Sequence, residues 1–154
     1  MRSSSSSQRR ASSAIPKKYS VLVVDDDPNV LTSITRLLSD DVEVASALSA
    51  ERALELLKVH SFHVVVSDFA MPGMDGNTLL GRISQMPQYV SCLLITGSDR
   101  YQPVAGEIRH YVLFKPFDPE RLIRMVLELG RVAEMKRSVK LMTESISETR
   151  IKID

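Results

Sequence analysis

The sequence predicts an α/β fold: a three-layer sandwich built on a five-stranded parallel sheet, with a C-terminal helical extension. Two patterns carry that prediction. Apolar runs at 21–24, 64–66, 93–95 and 112–114, with the alternating Val42-Glu43-Val44, are separated by segments with helical periodicity. A strand followed by a helix, five times over, leaves a parallel sheet covered on both faces as the economical solution. Unbroken apolar runs suit strands buried on both sides, and the alternation around Glu43 suits an edge strand.

The helical segments follow in order. The first places Val30, Leu31, Ile34, Leu37 and Leu38 on one face, with Asp27 as its cap and Pro28 in its first turn. The second covers 50–59. The third carries Leu79, Leu80, Ile83 and Met86, and the fourth Tyr101, Val104, Ala105 and Ile108. The fifth opens at Asp118-Pro119, again a cap and a first-turn proline, and continues through Leu122, Ile123 and Val126. Right-handed crossovers put the ligand crevice beyond the carboxyl ends of the strands.

Composition narrows the class. A chain of 154 residues holds one ordinary domain with a real core. No apolar run reaches the roughly 18 residues of a membrane span, so no membrane partner is expected. The single cysteine, Cys92, sits in an apolar run, which excludes a disulfide framework and fits a reducing, cytoplasmic setting. Residues 1–18 are rich in Ser and Arg and lack a hydrophobic period, which reads as a disordered tail. The folded body is expected at 19–130 and the helical extension, a candidate coiled coil, at 131–154. Between residues 20 and 130, nine basic residues face fifteen acidic ones. An acidic body argues against direct nucleic-acid binding and suits a divalent cation.

The strand ends supply the candidate site. The first strand ends in Asp25-Asp26-Asp27, the third in Ser67-Asp68, the fourth in Thr96-Gly97 and the fifth in Lys115-Pro116. One lysine cannot balance Asp25, Asp26 and Asp68, whereas a hard dication such as Mg²⁺, which prefers oxygen ligands, can. A cation beside a carboxylate nucleophile and a lysine is the equipment of phosphoryl transfer. Blander roles fit some neighbours: Asp27 as a helix cap, and Asp75-Gly76 as turn and helix entry. His60, His63 and His110 lack metal-ligand spacing and read as surface or strand-edge residues.

Four elements in order, Val23-Val24-Asp25-Asp26-Asp27-Pro28, Asp68-Phe69-Ala70-Met71-Pro72-Gly73-Met74-Asp75-Gly76, Thr96-Gly97 and Lys115-Pro116-Phe117, closely resemble the receiver domain of two-component response regulators. The resemblance covers about residues 19–130. It implies the flavodoxin-like strand order 2-1-3-4-5 and a cis Lys115-Pro116 bond. It implies Asp68 as phosphoacceptor, with Asp26, Asp68 and the backbone carbonyl of Ala70 holding Mg²⁺ directly and Asp25 acting mainly through a metal-bound water. Thr96 and Lys115 would contact phosphoryl oxygens. The implied donor is a histidine kinase or histidine phosphotransfer protein, and the implied outcome is a switch in binding to an output partner. The implied protein is not an enzyme on a separate substrate, but a phosphoacceptor that catalyses its own phosphorylation and dephosphorylation. The competing class is a phosphohydrolase of the haloacid dehalogenase type. Its pattern needs a second Asp two residues after the nucleophile, usually on the first strand. Here that position is Ala70, and Asp68 lies on the third strand.

Two departures stand out. The family often places Phe or Tyr three residues before the lysine, where this chain has Val112. Tyr111, one residue earlier, faces the other side of its strand. Beyond the fifth strand, Leu122, Met125, Leu129, Val132, Lys136, Val139, Thr143 and Ile146 repeat at spacings of three and four. Two readings fit: a heptad seam supporting a homodimer through the C-terminal helix, or one amphipathic helix packed on its own domain, with Gly130 as a break.

Overall fold

The computed structural model describes residues 19–97 and 111–153, with side chains described as far as Thr149. The N-terminal tail, the fourth helical segment and His110 lie outside the described residues. The described elements run β1 (Ser20–Val24), α1 (Pro28–Leu38), β2 (Glu43–Ala47), α2 (Ala50–Val59), β3 (Val64–Asp68), α3 (Gly76–Ser84), β4 (Ser91–Thr96), β5 (Tyr111–Phe114) and α4 (Pro119–Ile153). The five strands form one parallel sheet in the order β2-β1-β3-β4-β5, as expected.

Strand periodicity divides the core in two. Val21, Val23, Val64, Val66, Leu93 and Ile95 face α1 and α4, while Leu22, Val24, Val65, Cys92 and Leu94 face α2 and α3. Side-chain caps open the first three helices. Asp27 caps α1 by accepting from the Asn29 N–H at 2.9 Å, and Pro28 occupies its first turn. Ser49 caps α2 through the Arg52 N–H, and Asp75 caps α3 through the Thr78 N–H at 2.8 Å. Cys92 is buried in apolar surroundings that push its thiol pKa up to about 12, so the thiol stays protonated and inert.

Two expectations change. The apolar run at 112–114 does not mark a strand buried on both sides. β5 pairs only with β4 among the described strands, and its Tyr111 and Phe114 are 50% and 59% exposed. Apolar content alone does not separate a central strand from an outer one. Gly130 does not break the last helix either, since α4 runs unbroken through it, 35 residues in all. A Cβ at Gly130 would lie 2.6 Å from the Tyr19 ring. The glycine is there to let α4 press against the residue that precedes β1, not to end the helix.

The contacts of α4 with the body extend well past Gly130. Leu122, Val126, Leu129 and Ala133 are buried. The Ser91 hydroxyl donates to the Leu129 carbonyl at 2.8 Å. Arg137 donates to the carbonyls of Tyr89 and Phe62 and, at 3.4 Å, to the Ser61 hydroxyl. Lys136 lies over the Tyr89 ring, and Lys140 donates to the Pro87 carbonyl at 2.8 Å. These partners precede β3 and β4, so α4 crosses the sheet from its carboxyl edge to its amino edge.

Candidate phosphoacceptor site

Strand register assembles the site. Val24 sits opposite Ser67, so the next residues, Asp25 and Asp68, emerge side by side from β1 and β3. Thr96 sits opposite Phe114, so Lys115 emerges beside the end of β4, and its N–H donates to the Thr96 carbonyl at 2.9 Å. The Lys115-Pro116 bond is cis, as the resemblance implies.

Three carboxylates meet there. One oxygen from each of Asp25, Asp26 and Asp68 lies within 4.8 Å of the others. Asp25 is only 3% exposed, and its Oδ1 accepts from the Asp27 N–H at 2.9 Å. Burial raises its pKa above the usual carboxylate range. The Asp27 N–H opposes that shift, the Asp68 charge adds to it, Lys115 opposes it, and Asp26 adds to it. Lys115 Nζ lies 3.3 Å from Asp68 Oδ1. The Asp68 side chain is 12% exposed and that of Lys115 is 38% exposed, so the nucleophile is sheltered but reachable.

The donor set fits a hard divalent cation. It is all oxygen, it gathers three acids against one lysine, and burial strains the ionised form of one acid. Thr96 is buried at the end of β4, and Ala70 is exposed two residues past the end of β3. The structure thus brings Asp25, Asp26, Asp68, Thr96 and Lys115 to one edge.

Gly76 is the residue that sequence reasoning undervalued. A Cβ there would lie 2.6 Å from the Asp68 carbonyl oxygen, 2.6 Å from Leu94 Cδ1 and 3.0 Å from Phe69 Cα. Its N–H also donates to the Phe69 carbonyl at 3.0 Å. Only glycine lets α3 begin this close to the backbone that holds Asp68. Asp75-Gly76 is therefore a helix entry, as expected, and also a support for the site.

A doubly wound α/β domain with an acidic cluster and a lysine at the carboxyl edge of its sheet defines the class. Comparison with known proteins specifies it: residues 21–127 match the response regulator receiver domain family, and the chain belongs to that family. It is 36% identical over 113 residues to an uncharacterized 14.6 kDa protein of Leptolyngbya boryana, covering 69% of this chain and 86% of that one. It is 34% identical over 110 residues to the response regulator protein FleR of Pseudomonas aeruginosa, covering 69% of this chain but 23% of the relative. The chain therefore spans about a quarter of FleR's length. Among solved structures, the signal receiver domain of an HD domain-containing protein from Pseudomonas fluorescens Pf-5 superposes with a TM-score of 0.69 at 30% identity. That match covers 76% of this chain and 98% of the other.

Proposed function

We propose that the protein is a phosphorylation-operated switch in which Asp68 accepts a phosphoryl group from a phosphohistidine on a kinase or phosphotransfer protein. The observation that supports this most directly is the convergence of Asp25, Asp26 and Asp68 with Lys115 at 3.3 Å from the Asp68 carboxylate. A carboxylate oxygen of Asp68 attacks phosphorus, an O–P bond forms, and the N–P bond of the donor breaks. The departing imidazole keeps the bonding pair and takes up a proton. Lys115 is placed to neutralise charge on the transferring group, and the Thr96 hydroxyl to hold one of its oxygens.

Asp26, Asp68 and the Ala70 carbonyl would hold Mg²⁺ directly, and Asp25 would hold it through water. Bound there, the ion supplies charge neutralisation for both the nucleophile and the phosphoryl oxygens. The fit of α3 against the Asp68 backbone keeps the nucleophile's main chain from drifting, which is positioning rather than chemistry. Switching would then act by changing how an output partner binds the two states.

The test uses acetyl phosphate with Mg²⁺ and intact-mass detection of a hydroxylamine-labile adduct. The wild-type chain is expected to gain one phosphoryl group. Asp68→Asn is expected to gain none, and both excess chelator and Asp26→Ala should abolish labelling with the fold intact. Labelling of Asp68→Asn at the wild-type rate would sink the assignment, and undiminished labelling in chelator would sink the metal requirement.

A further inference from the structure

The structure divides the expected seam: its first residues are covered, and the part left open, which keeps Val132, Val139 and Ile146, points to a partner. Leu122 and Leu129, which began the expected repeat, are buried against the protein's own sheet. They cannot meet a second chain. Rotating the repeat onto the free side of α4 gives Val132, Met135, Val139, Met142 and Ile146, at spacings of three, four, three and four. Met135, Val139, Met142 and Ile146 are 49%, 57%, 65% and 66% exposed. On a helix with 3.6 residues per turn, the centre of this stripe lies about 130° from the centre of the buried face. The body of the domain therefore leaves Met135, Val139, Met142 and Ile146 uncovered, with Val132 half-buried at its margin.

We infer that the stripe of Val132, Met135, Val139, Met142 and Ile146 is the a/d seam of a parallel, in-register, two-stranded coiled coil with a second copy of this chain. Three features select that occupant. Val132, Val139 and Ile146 fall at a, and the unbranched Met135 and Met142 fall at d. β-branched residues at a with leucine at d favour two parallel strands, and methionine resembles leucine in size and in lacking a branch at Cβ. In parallel register each a residue meets its own copy, so the pattern is self-complementary without a different partner.

The flanking positions carry the third feature. Ser138, Thr143 and Ser145 occupy the e and g positions beside Val139, Met142 and Ile146, and all three are uncharged. They neither repel an identical helix nor select a charged foreign one. The one like-charged flanking pair, Arg131 with the partner's Lys136, is eased within each copy. Arg131 is paired with Glu128 at 2.6 Å on its own helix, and Lys136 rests over Tyr89. Arg137 and Lys140 meanwhile fix the opposite side of α4 to the body, so the stripe is presented by a braced helix. This reading is independent of the phosphoryl chemistry.

Sedimentation equilibrium of the full, unphosphorylated chain tests it, across the micromolar to submillimolar range. The wild type is expected to dimerise. Val139→Glu and Met142→Glu should weaken the dimer by roughly tenfold or more, because each buries a charge in the seam. Leu141→Glu changes a residue that is equally exposed, at 67%, but lies off the seam, and it should leave the dimer intact. Ile146→Cys should form an intermolecular disulfide on mild oxidation, since a faces a only in the parallel register and Cys92 is buried and protonated. A monomeric wild type overturns the proposal and assigns the stripe to some other partner. A dimer as sensitive to Leu141→Glu as to Val139→Glu overturns the seam, and an Ile146→Cys dimer that fails to crosslink overturns the orientation.

Discussion

Asp25, Asp26, Asp68 and Lys115 could be read from the sequence because each stands at the end of an apolar run, and a parallel sheet gathers such ends at one edge. His63 could not be read in this way. Its Nδ1 accepts the Ser20 N–H at 3.1 Å, and Tyr19 stands edge-on to its ring at 5.4 Å. Both partners lie more than forty residues away, and no local spacing signals them. Burial lowers the His63 pKa, nearby Arg137 lowers it further, and Glu134 opposes. An accepting Nδ1 requires the neutral ring with its proton on Nε2. As pH falls through the ordinary histidine range, the unfolded chain takes up a proton that the folded chain resists. Stability attributable to His63 is therefore full above about pH 6.5 and declines below it, towards the lower folded value. His63→Gln keeps an acceptor for Ser20 but cannot titrate. Between about pH 7 and about pH 5, its denaturation midpoint should fall less than that of the wild type. Parallel pH dependences for the two proteins would show that His63 is not the group responsible.

At the scale of elements, strands β1 to β4 and helices α1 to α3 were legible because helix-entry residues and apolar period agree locally, most plainly in the Asp27 cap and first-turn Pro28 of α1. The status of α4 was not, because Gly130 reads alike as a helix stop and as a point of close approach. The distinction depends on Tyr19, more than a hundred residues earlier in the chain. Alanine at position 130 would gain about 1 kcal/mol of helix propensity over glycine. Its Cβ, 2.6 Å from two ring carbons and 3.1 Å from Tyr19 Cβ, would impose overpacking that costs about 1–3 kcal/mol. The clash involves the root of the Tyr19 side chain and not a mobile tip, so the loss should win. Gly130→Ala is expected to destabilise the protein by about 1 kcal/mol. In a Tyr19→Ala background the clash disappears and the same change should stabilise, by about 1 kcal/mol. Chemical denaturation of the four proteins closes a double-mutant cycle. Additive effects would mean that Tyr19 is not what requires glycine.

The whole molecule places the acidic cluster and the exposed apolar stripe at opposite ends of one helix. α4 starts at Pro119, a few residues after Lys115, and reaches the amino edge of the sheet at Arg137 and Lys140. Its 35 residues would span about 52 Å at 1.5 Å per residue. The extent of the family resemblance and Gly130 suggested a boundary near 130, but body contacts and the exposed stripe overlap beyond it. Residues up to Lys140 brace the body, and the exposed stripe runs on to Ile146. Two truncations separate these functions. A chain ending at Lys140 keeps Ala133, Arg137 and Lys140 in place. It should match the full chain in denaturation midpoint and in Asp68 labelling, while losing Met142 and Ile146, two of the five seam residues, and with them most of the dimer affinity. A chain ending at Gly130 also loses the buried Ala133 and the bonds from Arg137 to the Tyr89 and Phe62 carbonyls. Charge-assisted bonds contribute about 1.5–3 kcal/mol each when sheltered, and Arg137 is only half-buried, so a total loss of about 3 kcal/mol is expected. If the chain ending at Gly130 is as stable as the full protein, the Arg137 brace contributes nothing to the body. If the chain ending at Lys140 still dimerises with full-length affinity, the interface lies elsewhere on the domain.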